Sequence, residues 1–190
     1  MKKSSFKVNK LYLDGAFLIE PFVSTDERGG FVKDYSKELL SKAEINYDLA
    51  EVFYTYSKAG VIRALHFQEY NHQPKLVRCV KGKVYDIIVD LRKESPTYKK
   101  YFGIYLSEDN CYELLVPAHF GHGYLVIENS IVSYKCSTPF DGPNDSGIKF
   151  DDEDLKLPWP FDDLGNKPLI ISEKDKKLQS LKEYEERGNP

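Results

Sequence analysis

The sequence predicts an all-β fold, a sandwich or small barrel. Eight short apolar segments follow one another between residues 51 and 137, separated by Gly, Pro, Asn and Asp, the pattern of strands joined by turns. Tyr and Phe, which favour strands, number 14 and 11 against a single Trp. Only one good helical window precedes the C-terminal tail, whereas a doubly wound α/β fold needs helices between its strands.

The elements follow in order. Residues 15–21 (GAFLIEP) read as a first short strand, and 24–30 (STDERGG) as a turn ending before Phe31. Residues 36–44 (SKELLSKAE) form the helical window, with Ser36 as cap and Leu39, Leu40 and Ala43 at helical spacing. Strands are then expected at 51–57, 61–67, 75–80, 83–91, 101–107, 111–117, 122–127 and 131–137. Leu76, Arg78 and Val80 should point one way and Val77, Cys79 and Lys81 the other. Lys81-Gly82-Lys83 and the segment Ser107 to Asn110 read as hairpin turns. After Pro139 the chain turns acidic and turn-rich, and 172–187 (SEKDKKLQSLKEYEER) reads as a solvated helix docking Leu178 and Leu181. We expect one domain over 1–190, with a barrel core at about 50–140 and the turn-rich segment and helix at 141–190.

Composition narrows the function classes. The 190 residues carry 27 Lys+Arg against 30 Asp+Glu, a net charge of −3, which disfavours nucleic acid as a partner. A bound anion must be held by a local cluster of cations. Cys79, Cys111 and Cys136 are far apart, odd in number and form no CxxC, so neither a disulfide framework nor a zinc site is expected. The N-terminal MKKSSFKVNK has no apolar core, and no later run approaches the ~18 residues of a membrane helix. A cytoplasmic protein without membrane attachment is the expectation.

Strict alternation along 61–67 would put Arg63, Leu65 and Phe67 on one face and Ala64, His66 and Gln68 on the other. A metal could be imagined on His66, Glu69 or His72, and His122, but no HxH pair exists; none is expected. Arg63, Lys75 and Arg78 bracket His66 and could converge on a barrel mouth to clamp a diphosphate or carboxylate.

Several segments carry a resemblance: GVIRALHFQ, KLVRCVKGKVYDIIVDLRKESPTY, LLVPAHFGHGYLV, SYKCS, PWP and ISEKD, preceded by STDERGGF. Running in order from about Asp26 to Asp175, they resemble the dTDP-4-dehydrorhamnose 3,5-epimerase family of nucleotide-sugar enzymes. The resemblance implies a cupin-type jelly roll (double-stranded β-helix) with short peripheral helices. It implies inversion of carbons flanking the C4 ketone of a nucleotide-linked 4-keto-6-deoxy sugar, without cofactor or metal, in surface-polysaccharide biosynthesis. By similarity His66 matches the base, Asp175 the carboxylate orienting it, Lys75 the lysine near the ketone oxygen and Tyr134 the acid on the opposite face. Arg63 and His122 match positions around sugar and diphosphate, and Arg28 an arginine of the nucleotide pocket, often donated across a homodimer whose N-terminal strands exchange. Phe31, Gln68 and Arg78 are further expected at the substrate, while His72 and His119 match no role.

The chain also departs from the family pattern. Phe53 to Ser57 (FYTYS) replaces a polar QDNxS-like stretch, Ala64 a glycine, Pro139-Phe140 a tandem Tyr-Tyr, and Lys33 a glutamate. These changes leave open a dTDP or GDP nucleotide, a hexose or heptose, inversion at C3, C5 or both, a ketoisomerase of the same fold, and a sugar-binding module without turnover.

Overall fold

In a computed structural model, residues 2–188 are described. Strands β1 (Lys2–Lys3), β2 (Lys7–Lys10), β3 (Phe17–Glu20), β4 (Phe22–Asp26) and β5 (Gly29–Lys33) precede helix α1 (Lys37–Lys42). Next come β6 (Glu51–Ser57), β7 (Ile62–Gln68), β8 (Lys75–Lys81), β9 (Lys83–Asp90) and β10 (Tyr101–Ser107). Then follow β11 (Glu113–Val116), β12 (Phe120–Val126), β13 (Ser130–Cys136), β14 (Asp145–Gly147) and helix α2 (Leu181–Glu186), with short 3-10 turns at 142–144, 161–164 and 175–177. The fold is the expected all-β jelly roll with few short helices. Among the described residues no helix is long and apolar enough to cross a membrane.

Two sheets face each other. One runs β2-β3-β11-β8-β13-β6 and the other β10-β9-β12-β7-β14, while β1, β4 and β5 form a separate small sheet. From β6 to β9 and again from β10 to β14 each successive strand lies in the opposite sheet. Lys81-Gly82-Lys83 is therefore no hairpin, because β8 pairs with β11 and β13 while β9 pairs with β10 and β12. The same holds for the turn at Ser107 to Asn110, which carries the chain from β10 across to β11. Turn residues announce a reversal, but side-chain burial decides whether the next strand pairs or crosses.

Alternation within each strand divides the apolar residues among three clusters. Between the sheets, Val77, Cys79, Val84, Ile88, Leu114, Val126 and Val132 form the interior. The outer face of the five-stranded sheet, with Ile62, Leu65, Ile87 and Leu125, is covered by Ile148, Leu155, Trp159 and Leu181 of the C-terminal segment. On the outer face of the six-stranded sheet, Ile19, Leu76 and Leu115 pack against Leu40, Ile45 and Tyr47, in and just after α1.

The helices are short. Ser36 caps α1 by accepting from the Leu39 N–H at 3.4 Å, as the sequence suggested. The expected helix at 172–187 is reduced to a 3-10 turn over Asp175–Lys177 and a separate α2. A capping box between Ser180 and Glu183 starts that second helix. Leu181 is fully buried and Leu178 half-buried, while Asp175 is turned inward rather than solvated. The expected turn at 24–30 is the tight β4–β5 hairpin, pairing Asp26 with Gly29.

Gly82 marks the crossing from β8 to β9. Its φ is +76°, and a Cβ there would lie 2.3 Å from the Asn129 carbonyl oxygen. Gly82→Ala is expected to cost about 2 kcal/mol through left-handed strain and this clash, read as a lowered urea midpoint; an unchanged midpoint would contradict this account of the corner.

Candidate active site

At one end of the interior lies a cavity of about 360 Å³. The five-stranded sheet supplies Arg63, His66 and Gln68 from β7 and His122 and Tyr124 from β12; the facing sheet supplies Phe53, Thr55, Lys75 and Tyr134. Gln73, Phe140, Asp145, Ser172, Lys174 and Asp175 close the rim.

Strict alternation would put Arg63 on the face opposite His66. The structure overturns that expectation through a β-bulge. His66 pairs with His122 and Arg63 with Tyr124, so three steps along β7 span two along β12. The extra residue restores Arg63 to the His66 face, and both enter the cavity. Gln68, two residues beyond His66, stays on that face as expected.

The His66 Nε2 lies 3.3 Å from Asp175 Oδ1, while its Nδ1 is buried without a partner among the described residues. Burial pushes the Asp175 carboxyl up, but its hydrogen bond to His66 and the imidazole charge outweigh this and hold it below the usual carboxylate value. Ser172 Oγ accepts from the Asp175 N–H at 3.0 Å and fixes the turn that presents this carboxylate.

His122 behaves differently. Its Nε2 lies 2.9 and 3.1 Å from the two oxygens of Asp86, both residues being buried. Burial drives the imidazole pKa down and the Asp86 pKa up, so both lean to the neutral form. Asp86 went unnoticed in the sequence, although an Asp within the apolar run VYDIIVD is the kind of buried polar group that demands a partner.

On the other wall, Lys75 is buried and makes no hydrogen bond or ion pair among the described residues. Burial lowers its pKa, opposed by the neighbouring Cys136, Asp145 and Asp86. The Tyr134 ring stacks on Phe53 at 4.8 Å and 15° and meets the His122 ring edge-on at 6.0 Å. Burial, then the neighbouring Tyr124, raises its pKa well above the ordinary value, so its hydroxyl is a proton donor. The cation that eases its ionisation is Arg63.

Three expected substrate contacts lie outside the cavity. Arg78 projects from the opposite face of β8 to Lys75, pairing with Asp34 at 2.9 Å. Asp34 also binds Lys135 at 3.0 Å, and Lys135 binds the buried Glu113 at 2.6 Å. Burial pushes Glu113 up to about 7. Arg28, with 85% of its side chain exposed, folds back onto Asp26 at 2.6 Å in the β4–β5 turn, and Phe31 is 57% exposed. Neither touches the cavity of its own chain. His72 and His119 lie against each other outside the cavity, ring centres 3.5 Å apart and tilted by 43°, with His72 Nδ1 2.9 Å from the Gln68 carbonyl oxygen. Within DLRKESPT, Asp90 accepts from Arg92 at 2.8 Å, and from Ser95 and Thr97 at 2.5 and 2.6 Å; this cluster shapes the β9–β10 loop rather than the site. No group of three or more His, Cys, Asp or Glu able to hold a metal occurs among the described residues.

Asp175 gives a pH signature. Its folded pKa lies below the unfolded carboxylate value of about 3.9. Its contribution to stability is therefore complete above that pH and lost as pH falls through the lowered folded value. Asp175→Asn should flatten the fall in urea midpoint between about pH 5 and pH 3; superimposable acid limbs would refute the pairing.

The comparisons with known proteins agree in one direction. The model of the family described as dTDP-4-dehydrorhamnose 3,5-epimerase matches residues 10–183. A protein of that name from Methanothermobacter thermautotrophicus is 40% identical over 181 residues, covering 95% of this chain and 97% of its own. The Bacillus anthracis dTDP-4-dehydrorhamnose 3,5-epimerase, solved with TDP and PPi bound, superposes with a TM-score of 0.85 at 39% identity, over 93% of this chain and 100% of that one. The Legionella pneumophila dTDP-6-deoxy-D-glucose-3,5-epimerase, in complex with dTDP-4-keto-L-rhamnose, gives a TM-score of 0.88 at 29% identity, over 94% of each chain.

Proposed function

The chain belongs to the dTDP-4-dehydrorhamnose 3,5-epimerase family of carbohydrate isomerases, and on that premise we propose that it inverts C3 and C5 of a dTDP-linked 4-keto-6-deoxy hexose. The observation that carries this reading is the placement of His66 and Tyr134 on opposite walls of one cavity, with Lys75 unpaired among the described residues beside them.

The chemistry follows from the ketone. Protons on C3 and C5 are acidic because the carbanion formed by losing either delocalises onto the C4 oxygen. His66, oriented by Asp175, takes such a proton from one face. Lys75, already costly to keep buried as an unpaired cation, gains a partner when the enolate oxygen develops negative charge beside it. Tyr134 then delivers a proton to the same carbon from the other face, and the stereocentre is inverted. The His66 proton is returned to solvent and the Tyr134 proton regained from it, so the enzyme ends each turnover as it began.

Arg63, held by Ser57 at 3.2 Å, is the cation available to the diphosphate. Thymidine is proposed as the nucleoside because the full-length relatives are named for dTDP sugars; the product suits surface-polysaccharide synthesis. The reading includes a homodimer. Arg28 and Phe31 stand exposed beyond reach of their own cavity, where they could complete a second copy's site. Exposed Val52, Tyr54 and Tyr56 also form an apolar stripe on edge strand β6.

Deuterium incorporation from solvent tests the reading. Wild-type enzyme should label C3 and C5 of the dTDP-4-keto sugar. His66→Asn should lose exchange and turnover by about 10²–10⁴-fold, and Tyr134→Phe should exchange with retained configuration while losing inversion. Label at one carbon would reduce the activity to a single epimerisation, migration of the carbonyl would indicate a ketoisomerase, and no label a binding module.

Exhaustive chelation should leave the rate unchanged, since the enolate is met by Lys75 and hydrogen bonds. Loss of activity restored by a divalent ion would refute the assignment of Lys75.

A further inference from the structure

The cluster of Arg78, Asp34, Lys135 and Glu113 lies outside the cavity and takes no part in the proposed proton transfers. Glu113 is fully buried, and Arg78 and Lys135 nearly so. These three stand on β11, β8 and β13, which are neighbours in the six-stranded sheet. Asp34 alone of the four comes from outside that sheet. Its Oδ2 accepts from Arg78 Nη1 at 2.9 Å and from Lys135 Nζ at 3.0 Å. Arg78 and Lys135 carry two positive charges against the one that Glu113 can supply, so the Asp34 carboxylate completes the balance of a buried cluster. Burial pushes that carboxyl up, but Lys135 and Arg78 outweigh this and hold it below the usual value.

Asp34 directly follows β5, at the base of the β4–β5 hairpin, where Phe22 pairs with Lys33. The other strand of the hairpin, β4, continues β3 after Pro21, and β3 is paired with β2 and β11 in the six-stranded sheet. The hairpin therefore leaves the body on two feet, the β3 ladder and the Asp34 clasp. Phe22 and Phe31 meet edge to face across its strands, ring centres 6.2 Å apart, and Arg28 sits in its turn. From Asp34 to Arg28 the extended chain spans about 20 Å, so a tilt of about 10° at the base would move the tip by about 3.5 Å, more than a hydrogen bond tolerates. Just beyond Asp34, Tyr35 packs on Tyr47, and Leu40 is buried in the same cluster. Helix α1 thus has its own hold on the sheet, and the Asp34 carboxylate is left to direct the hairpin.

We infer that Asp34, gripped by Arg78 and Lys135, is a positioning residue for substrate binding: it sets the direction of the β4–β5 hairpin so that Arg28 and Phe31 enter the cavity of a second copy of this chain. The role assigned to Asp34 rests on the homodimer reading given above. There the Arg28 guanidinium would meet the diphosphate, as its forked donors suit phosphate oxygens. A rival role is open to the same cluster, because β8 and β13 carry Lys75 and Tyr134 on the cavity face and Arg78 and Lys135 on the other. The two roles differ in what they change. A hairpin that has lost its direction weakens binding, whereas a distorted wall slows the proton transfers.

Wild type, Arg28→Ala, Asp34→Asn and the double variant are compared for KM and kcat with a dTDP-4-keto sugar, and for hydrogen exchange of the amides of 22–33. Loss of a charge-assisted hydrogen bond to phosphate supports a rise in KM of about 10- to 100-fold in Arg28→Ala. Asp34→Asn should raise KM by about 5- to 50-fold with kcat within about twofold, the mark of lost binding rather than lost chemistry. In the double variant the rise should fall short of the product of the single effects, since both act through one contact. Exchange over 22–33 should quicken in Asp34→Asn while β8 and β13 keep their wild-type protection. If Arg28→Ala raises KM and Asp34→Asn does not, or if the single effects multiply in full, Asp34 does not direct the hairpin and the homodimer reading stands. A fall in kcat larger than the rise in KM, or unchanged exchange over 22–33, would overturn the role of Asp34 in the same way. If Arg28→Ala leaves KM unchanged, it is the homodimer reading that fails, and the role of Asp34 with it. Should Asp34→Asn not fold, Arg78→Met, which leaves Lys135 on Asp34, decides by the same split between KM and kcat.

Discussion

The close approach of Gly123 to Ala64 is the constraint on which the site depends. A Cβ on Gly123 would lie 2.3 Å from the Ala64 Cβ and 2.7 Å from the Arg63 carbonyl oxygen. Only a residue without a side chain lets β12 lie against β7 where β7 carries its extra residue. That bulge resets the pleat and brings Arg63 and His66 onto one wall. Without it, Arg63 would face the apolar cluster containing Ile62 and Leu65, and the cavity would lose its guanidinium.

The interior tolerates so many polar groups because its two outer faces are well covered. The C-terminal segment seals one sheet and α1 with the residues after it seals the other. Between the sheets, each polar group either has a partner or is held ready for one. His122 and Asp86 satisfy each other, His66 has Asp175, and Thr55 has Tyr124. Lys75, and the Nδ1 of His66, stand without partners among the described residues. A charge left unpaired in a buried wall costs stability, and in the proposed reaction the enolate oxygen would offset that cost.

The C-terminal segment also helps to build the cavity wall. Chain that reads as a solvated helix instead passes over the five-stranded sheet, turns at Ser172 and sends Asp175 inward to His66. Parallel bridges from Ile170 to Val61 and from Gln179 to Ile148 hold it on either side of that turn. Packing of Leu181 and Trp159 on the outer face thus fixes the carboxylate that orients a side chain on the inner face.

The sequence by itself determined β3 and the eight strands from β6 to β13, the two faces of β8, the capped start of α1 and, through motifs such as GVIRALHFQ and ISEKD, the family. Those are local properties: alternation, capping and residue identity are written over a few neighbouring positions. Tertiary structure alone decided that Gly82 and the turn at Ser107 to Asn110 cross between sheets, that Arg63 shares a face with His66, and that Arg78 pairs with Asp34 outside the cavity. It also decided that Arg28 and Phe31 stand apart from the site and that Asp86 and Tyr124 belong to it. The reason is physical: which strands pair, where a bulge shifts the pleat and which carboxylate answers a buried cation depend on groups far apart in the chain, whose approach is settled only when both sheets close around one interior.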